Sequence, residues 1–140
     1  MEITNNAVQT VTAGNNVVFG STAVSGGACI VHREGSGLVT LRGLTNSQCR
    51  ARFRVSFGAN IAVPTGGTAG AISMAISING EPVQTSSMIT TPAAVNEYHN
   101  VYASIFIDVP KGCCTQVSVE NTSTVSINVQ NANLIVERVA

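Results

Sequence analysis

The stretch Ala71-Ile72-Ser73-Met74-Ala75-Ile76-Ser77-Ile78, followed by Asn79-Gly80, constrains the fold most. Side chains of an extended strand alternate between faces, so Ile72, Met74, Ile76 and Ile78 share one side, and Ala and Ser fill the other. Asn79 and Gly80 both tolerate the positive φ that a two-residue hairpin turn requires. Glu81-Pro82-Val83 opens the return strand, where proline suits a strand start or an edge. The expectation is a hairpin with one buried face and further strands laid around it.

Short strand-like runs separated by turn residues continue along the chain. They comprise residues 7–11, 17–19, 28–32, 38–41, 49–57, 98–109, 114–120, 125–129 and 134–139. Arg33-Glu34-Gly35-Ser36-Gly37, Pro110-Lys111-Gly112 and Asn121-Thr122-Ser123 read as turns. No segment keeps helical periodicity over three turns. Many short strands with turn signals predict an all-β, two-sheet antiparallel sandwich, with residues 1–140 as one domain. Residues 1–20 are expected as N-terminal strands or an arm that contacts a lattice or a neighbour.

Tyr98 to Val109 is the most informative strand. Val101, Ala103, Ile105, Ile107 and Val109 fill one face, and Tyr102 and Phe106 stand on the other. A strand apolar on both faces is covered on both. A single sandwich covers only one, so another subunit is expected on the second. Charge points the same way. Charged residues are only 10% of the chain, and seven basic balance seven acidic residues. A neutral, charge-poor surface is easier to understand if other subunits cover much of it. It also supplies no field to draw nucleic acid or anionic lipid.

Chemistry-bearing patterns are sparse. No Gly-x-Ser-x-Gly elbow is present, and Gly35-Ser36-Gly37 lacks the lysine of a phosphate loop. His32 and His99 stand alone, and the scattered carboxylates offer no paired acid and base. No enzyme activity, cofactor or metal is therefore expected. No apolar run is long enough to span a membrane as a helix, and Met1–Asn6 lacks the features of a secretory signal. A chain made in a cytoplasm is expected, with Cys29, Cys49, Cys113 and Cys114 reduced. Cys29 and Cys49 are the pair to examine otherwise. Asn121-Thr122-Ser123 matches a glycosylation sequon but reads as a turn. Arg50, Arg52 and Arg54 form a comb on the face opposite Phe53. It suits phosphate or sugar contact, or a polar outer face with cross-strand ion pairs to Asp108 and Glu137.

In order and spacing the strands resemble the trimeric jelly roll of the tumour-necrosis-factor and complement-head superfamily, particularly its bacterial and phage versions such as exosporium heads. The residues concerned run from Val8-Gln9-Thr10-Val11 and Val17-Val18-Phe19 through Gly35–Leu41 and Phe53–Phe57. They continue through Ala75–Val83 and Val117–Asn121 to Ala132–Arg138. The collagen-like stalk of that family is missing from this sequence, and Cys113-Cys114 replaces small polar residues. The resemblance implies a homotrimer in which the Tyr98–Val109 strand lies beside the threefold axis. Tyr102, Phe106, Arg52, Arg54, Asp108 and Glu137 would then form the interface. The expected function is a trimeric capsid decoration protein of a tailed phage. It would sit on the virion surface against the major capsid protein or another virion surface protein. The alternative is an adhesive or receptor-binding head on a phage fibre, bacterial spore or cell surface, binding through loops near 60–70 and 86–97.

Overall fold

The longest strand lies where the arginine comb begins. In the computed structural model, which describes residues 1–43, 49–112 and 114–140, β6 runs Arg50–Ala62. Ala51, Phe53, Val55, Phe57, Ala59 and Ile61 all point into the core and are at most 2% exposed. The strand outlasts its obvious alternation because Ala59 and Ile61 keep the inward phase through Gly58 and Asn60.

Eleven further strands accompany it among the described residues. They are β1 Glu2–Asn5, β2 Gln9–Val11, β3 Ser21–Val24, β4 Ile30–His32 and β5 Val39–Arg42. After β6 come β7 Ile72–Ile78, β8 Glu81–Pro82, β9 Met88–Thr90, β10 His99–Pro110, β11 Cys114–Asn121 and β12 Ile127–Arg138. One sheet has the order β10-β6-β12-β1-β3, with β2 also on β12. The other has the order β4-β5-β11-β7-β8, with β9 also on β7. Every pairing between named strands is antiparallel. Between the sheets Phe19 meets Phe57 edge to face at 6.3 Å, an arrangement that the aromatic quadrupole favours.

Several expectations change. The hairpin is present, with Asn79 and Gly80 at φ 51° and 85°, but it belongs to the flank of the second sheet. β6, between β10 and β12, is the element around which the first sheet is built. Nor is only one face of β7 buried: Ala75 and Ser77 are as inaccessible as Met74 and Ile76. A short 3-10 turn, Gln84–Ser86, packs along this strand. β8 and β9 leave the Ile76 N–H between them unpaired, and the Ser86 hydroxyl accepts it at 2.9 Å.

The runs at 125–129 and 134–139 are one strand. Ile127 and Val129 face inward, and so do Ala132, Leu134 and Val136, a change of parity. A bulge between Gln130 and Asn133, with Asn131 at φ 55°, absorbs the odd residue. By contrast, Val17 and Phe19 are buried without forming a strand; only isolated bridges, Asn16 to Glu120 and Phe19 to Ser36, hold that run. In the segment expected as an arm, β1 lies between β12 and β3, so its backbone is spent within the chain. Side chains such as Val8 and Val18 remain exposed there.

Candidate functional site

Register across β10, β6 and β12 determines what their outer face presents. Asp108 lies opposite Arg52, and Phe106, Arg54 and Glu137 form the next row. Ser104, Ser56 and Ile135 follow, then Tyr102, Gly58 and Asn133. All six residues named as an interface from the sequence therefore stand on one face. Tyr102 and Phe106 are 66% and 64% exposed there, and Ile135 is a third exposed apolar side chain. Gly58 has no side chain to hold the Tyr102 ring away; a β-carbon built there would be 3.7 Å from the ring.

The arginine comb is paired within the chain. Arg52 grips Asp108 with two parallel bonds, Nε to Oδ1 at 2.7 Å and an Nη to Oδ2 at 3.0 Å. Arg50 approaches the same carboxylate at 3.4 Å. Arg54 donates to Glu137 Oε1 from Nε at 2.7 Å and from its terminal nitrogen. Planar guanidinium and carboxylate groups match each other in this way. The Arg52 hydrogen bond, together with the charges of Arg50 and Arg52, holds the Asp108 carboxyl below its ordinary range. The same bond raises Arg52. Hydrogen bonds from Ser56 and Ser104, with the nearby Arg54 charge, lower the Tyr102 phenol.

A lowered carboxyl stabilises the fold fully above its unfolded-state pKa, and that gain is lost as pH falls through the lower folded-state value. Replacing Asp108 with Asn should therefore lower Tm slightly at neutral pH. The difference between the two proteins should close below about pH 4. Since the side chains of the pair are 39% and 43% exposed, high salt should shrink the difference as well. Thermal melts across pH and salt check both trends.

Two histidines read as isolated differ in their surroundings. His32 Nε2 meets the Ser36 carbonyl at 2.9 Å, and its ring meets Phe19 edge-on. His99 lies between the Thr90 hydroxyl, 2.6 Å from Nδ1, and Glu97 Oε1, 3.0 Å from Nε2. A hydroxyl, imidazole and carboxylate in series have the layout of an activated nucleophile. Yet the neighbouring Ala93 and Ala94 N–H groups both donate to Glu97 Oε2 and offer nothing to an oxyanion. The array clasps the β9–β10 connection. The sequence signal was weak because Thr90 reaches His99 only once that connection folds back.

Cys29 and Cys49 carry free thiols and are not joined to each other; Cys113 lies outside the described residues. Cys29 Sγ accepts a hydrogen bond from Arg138 at 3.3 Å. Among the described residues no group of three His, Cys, Asp or Glu could hold a metal ion. None of their helices is long and apolar enough to cross a membrane.

No protein-family model matches the chain, and no curated protein matches it in sequence. Solved structures do match. The globular domain of zebrafish complement 1qA superposes with a TM-score of 0.63 at 13% identity, over 96% of this chain and 93% of that one. Murine APRIL at pH 8.5 superposes with a TM-score of 0.58 at 10% identity, over 97% of both chains. A second murine APRIL structure, at pH 5.0, gives 0.55 at 10% identity over 95% of both. By fold the chain is a two-sheet jelly roll of the tumour-necrosis-factor and complement-head type.

Proposed function

We propose that this chain is a non-enzymatic structural protein that assembles as a homotrimer through the outer face of β10, β6 and β12, and that the trimer decorates the capsid of a tailed phage. The observation that carries the assembly is the exposure of Tyr102 and Phe106 on one sheet face, 66% and 64%, beside ordered ion pairs. Large aromatics clustered on a face of this kind characterise protein contacts more than free surface. The chain's neutral charge and low charge density support a lattice-covered surface over a steered, ligand-capturing one. The major capsid protein, or another virion surface protein, is the proposed partner.

Light scattering at micromolar concentration should return three times the 14.4 kDa chain mass. A monomer there overturns the assembly. Antibody-labelled electron microscopy of the source particle tests the location, and label over the capsid shell is the expected result. Label at fibre tips, or on a spore or cell surface, would replace capsid decoration with the adhesive-head reading. One contact favours that second reading: the two loops suited to binding are joined. Asn96 Nδ2 donates to the Thr65 hydroxyl at 2.8 Å, and the Asn96 N–H donates to the Val63 carbonyl at 2.8 Å. They form a single tip.

A further inference from the structure

The second sheet has a trough on its outer side. Ser73 of β7 and Glu120 of β11 stand on that side, because Ile72, Met74, Val119 and Asn121 take the inward phase. Gln84, Ser87 and Ile89 form one wall, and Thr122 and Ser123 line the trough as well. The cavity holds about 500 Å³, and a second of about 310 Å³ continues it, sharing Ser73, Ile89, Thr122 and Ser123. These are the dimensions of small-ligand sites.

We infer that this trough is a binding site for a neutral saccharide. Its floor is already ordered. The Ser73 and Thr122 hydroxyls are 2.8 Å apart, and the Ser73 carbonyl accepts from the Thr122 N–H at 3.1 Å, with the Ser123 hydroxyl oxygen 3.3 Å away. Its walls are unspent. The Glu120 carboxylate, Gln84 carboxamide and Ser87 hydroxyl have no side-chain hydrogen bond among the described residues. A carboxylate, an amide and hydroxyls converging on one trough match a ligand that carries several hydroxyls at fixed angles. Ile89, 69% exposed, offers an apolar surface to the C–H face of a sugar ring. No basic residue lines either cavity, so Glu120 disfavours acidic ligands. One carboxylate amid a majority of neutral groups is a poor match for a polycationic peptide.

The site is built by one chain and lies on the opposite side of the sandwich from Tyr102 and Phe106. It therefore stands or falls independently of the trimer. The test displays C-terminally biotinylated protein on streptavidin, so that several copies face the probe whatever the oligomeric state. The probes are an array of neutral and sialylated oligosaccharides, and trilysine peptide in solution. Signal on a subset of neutral glycans is expected. It should fall at least about tenfold in Gln84→Ala and in Glu120→Gln, because each loses a hydrogen bond to the ligand, one of them charge-assisted. Gln84 is exposed, so Gln84→Ala should fold normally and keep the test valid if Glu120→Gln is impaired. The proposal is overturned by silence on every neutral glycan, by equal signal on sialylated ones, or by signal unchanged in Gln84→Ala. Displacement of a bound glycan by trilysine would reassign the trough to a cationic peptide.

Discussion

Phe106→Asp is expected to abolish assembly while leaving the fold intact. In the single chain Phe106 is 64% exposed, so the change alters a surface position, where substitutions usually cost under about 0.5 kcal/mol. The core side of β10 is untouched, since Val101, Ile107 and Val109 carry its burial. In register the new carboxylate would face Arg54, whose pair with Glu137 it could share, so the isolated chain tolerates it. Within the subunit contact the new carboxylate and Glu137 would both be desolvated with only Arg54 between them, so one buried charge is left uncompensated, a loss of about 3–5 kcal/mol. Threefold assembly would repeat that loss in every copy. Light scattering should therefore drop to 14.4 kDa, with the circular dichroism spectrum nearly unchanged and Tm lowered to the concentration-independent value of the unassembled chain. Phe106→Leu, which keeps an apolar side chain, should retain the trimer. A wild-type trimer that survives Phe106→Asp would place the interface elsewhere.

That prediction was available from the sequence because β10 declares both of its faces. Its inward residues alternate without interruption, and two aromatics occupy positions that a one-sided strand would fill with polar groups. The same regularity made the partners of the arginine comb legible: a period of two keeps Arg52 and Arg54 level with Asp108 and Glu137 once β10 and β12 flank β6. Where main-chain pairing supplies the stability, the sequence is quieter. β1 and β3 have little alternation and exist because β12 and β1 offer them unpaired backbone groups. β12 was obscured by its own bulge, since a residue at positive φ splits one hydrophobic phase into two runs. The His99 clasp and the trough depend on turns that fold distant polar residues together. Neither Ser73 with Thr122 nor Thr90 with His99 has a spacing that announces the contact.

Asn121 illustrates the last point, and its replacement should cost more stability than any change on the interface face. As part of Asn121-Thr122-Ser123 it reads as a turn residue, yet its side chain is fully buried. The amide nitrogen donates to the Val11 carbonyl at 2.9 Å and the Val125 carbonyl at 2.8 Å. The amide oxygen accepts from the Ser123 N–H at 3.0 Å and from the Ser123 hydroxyl. One carboxamide thus ties the end of β2, the end of β11 and the turn into β12. Asn121→Ala leaves two carbonyls and an N–H without partners, each costing about 1–3 kcal/mol where water does not reach. With partial hydration of the turn, a net loss of about 2–4 kcal/mol is expected, a fall in Tm on the order of 10 °C. Asn121→Asp is nearly isosteric and separates shape from hydrogen bonding. When ionised it has no donor and aims a charge at two carbonyl oxygens, so at neutral pH it should be less stable than Asn121→Ala. Burial beside those oxygens raises its folded-state pKa above about 3.9. Its stability relative to Asn121→Ala should therefore recover as pH falls through that raised value, because the protonated acid can donate to one carbonyl. Denaturant titrations of the two variants across pH read this directly. If both variants lose less than about 1 kcal/mol, or their difference is flat with pH, water replaces the carboxamide at this junction and the tie is not what holds β2 to β12.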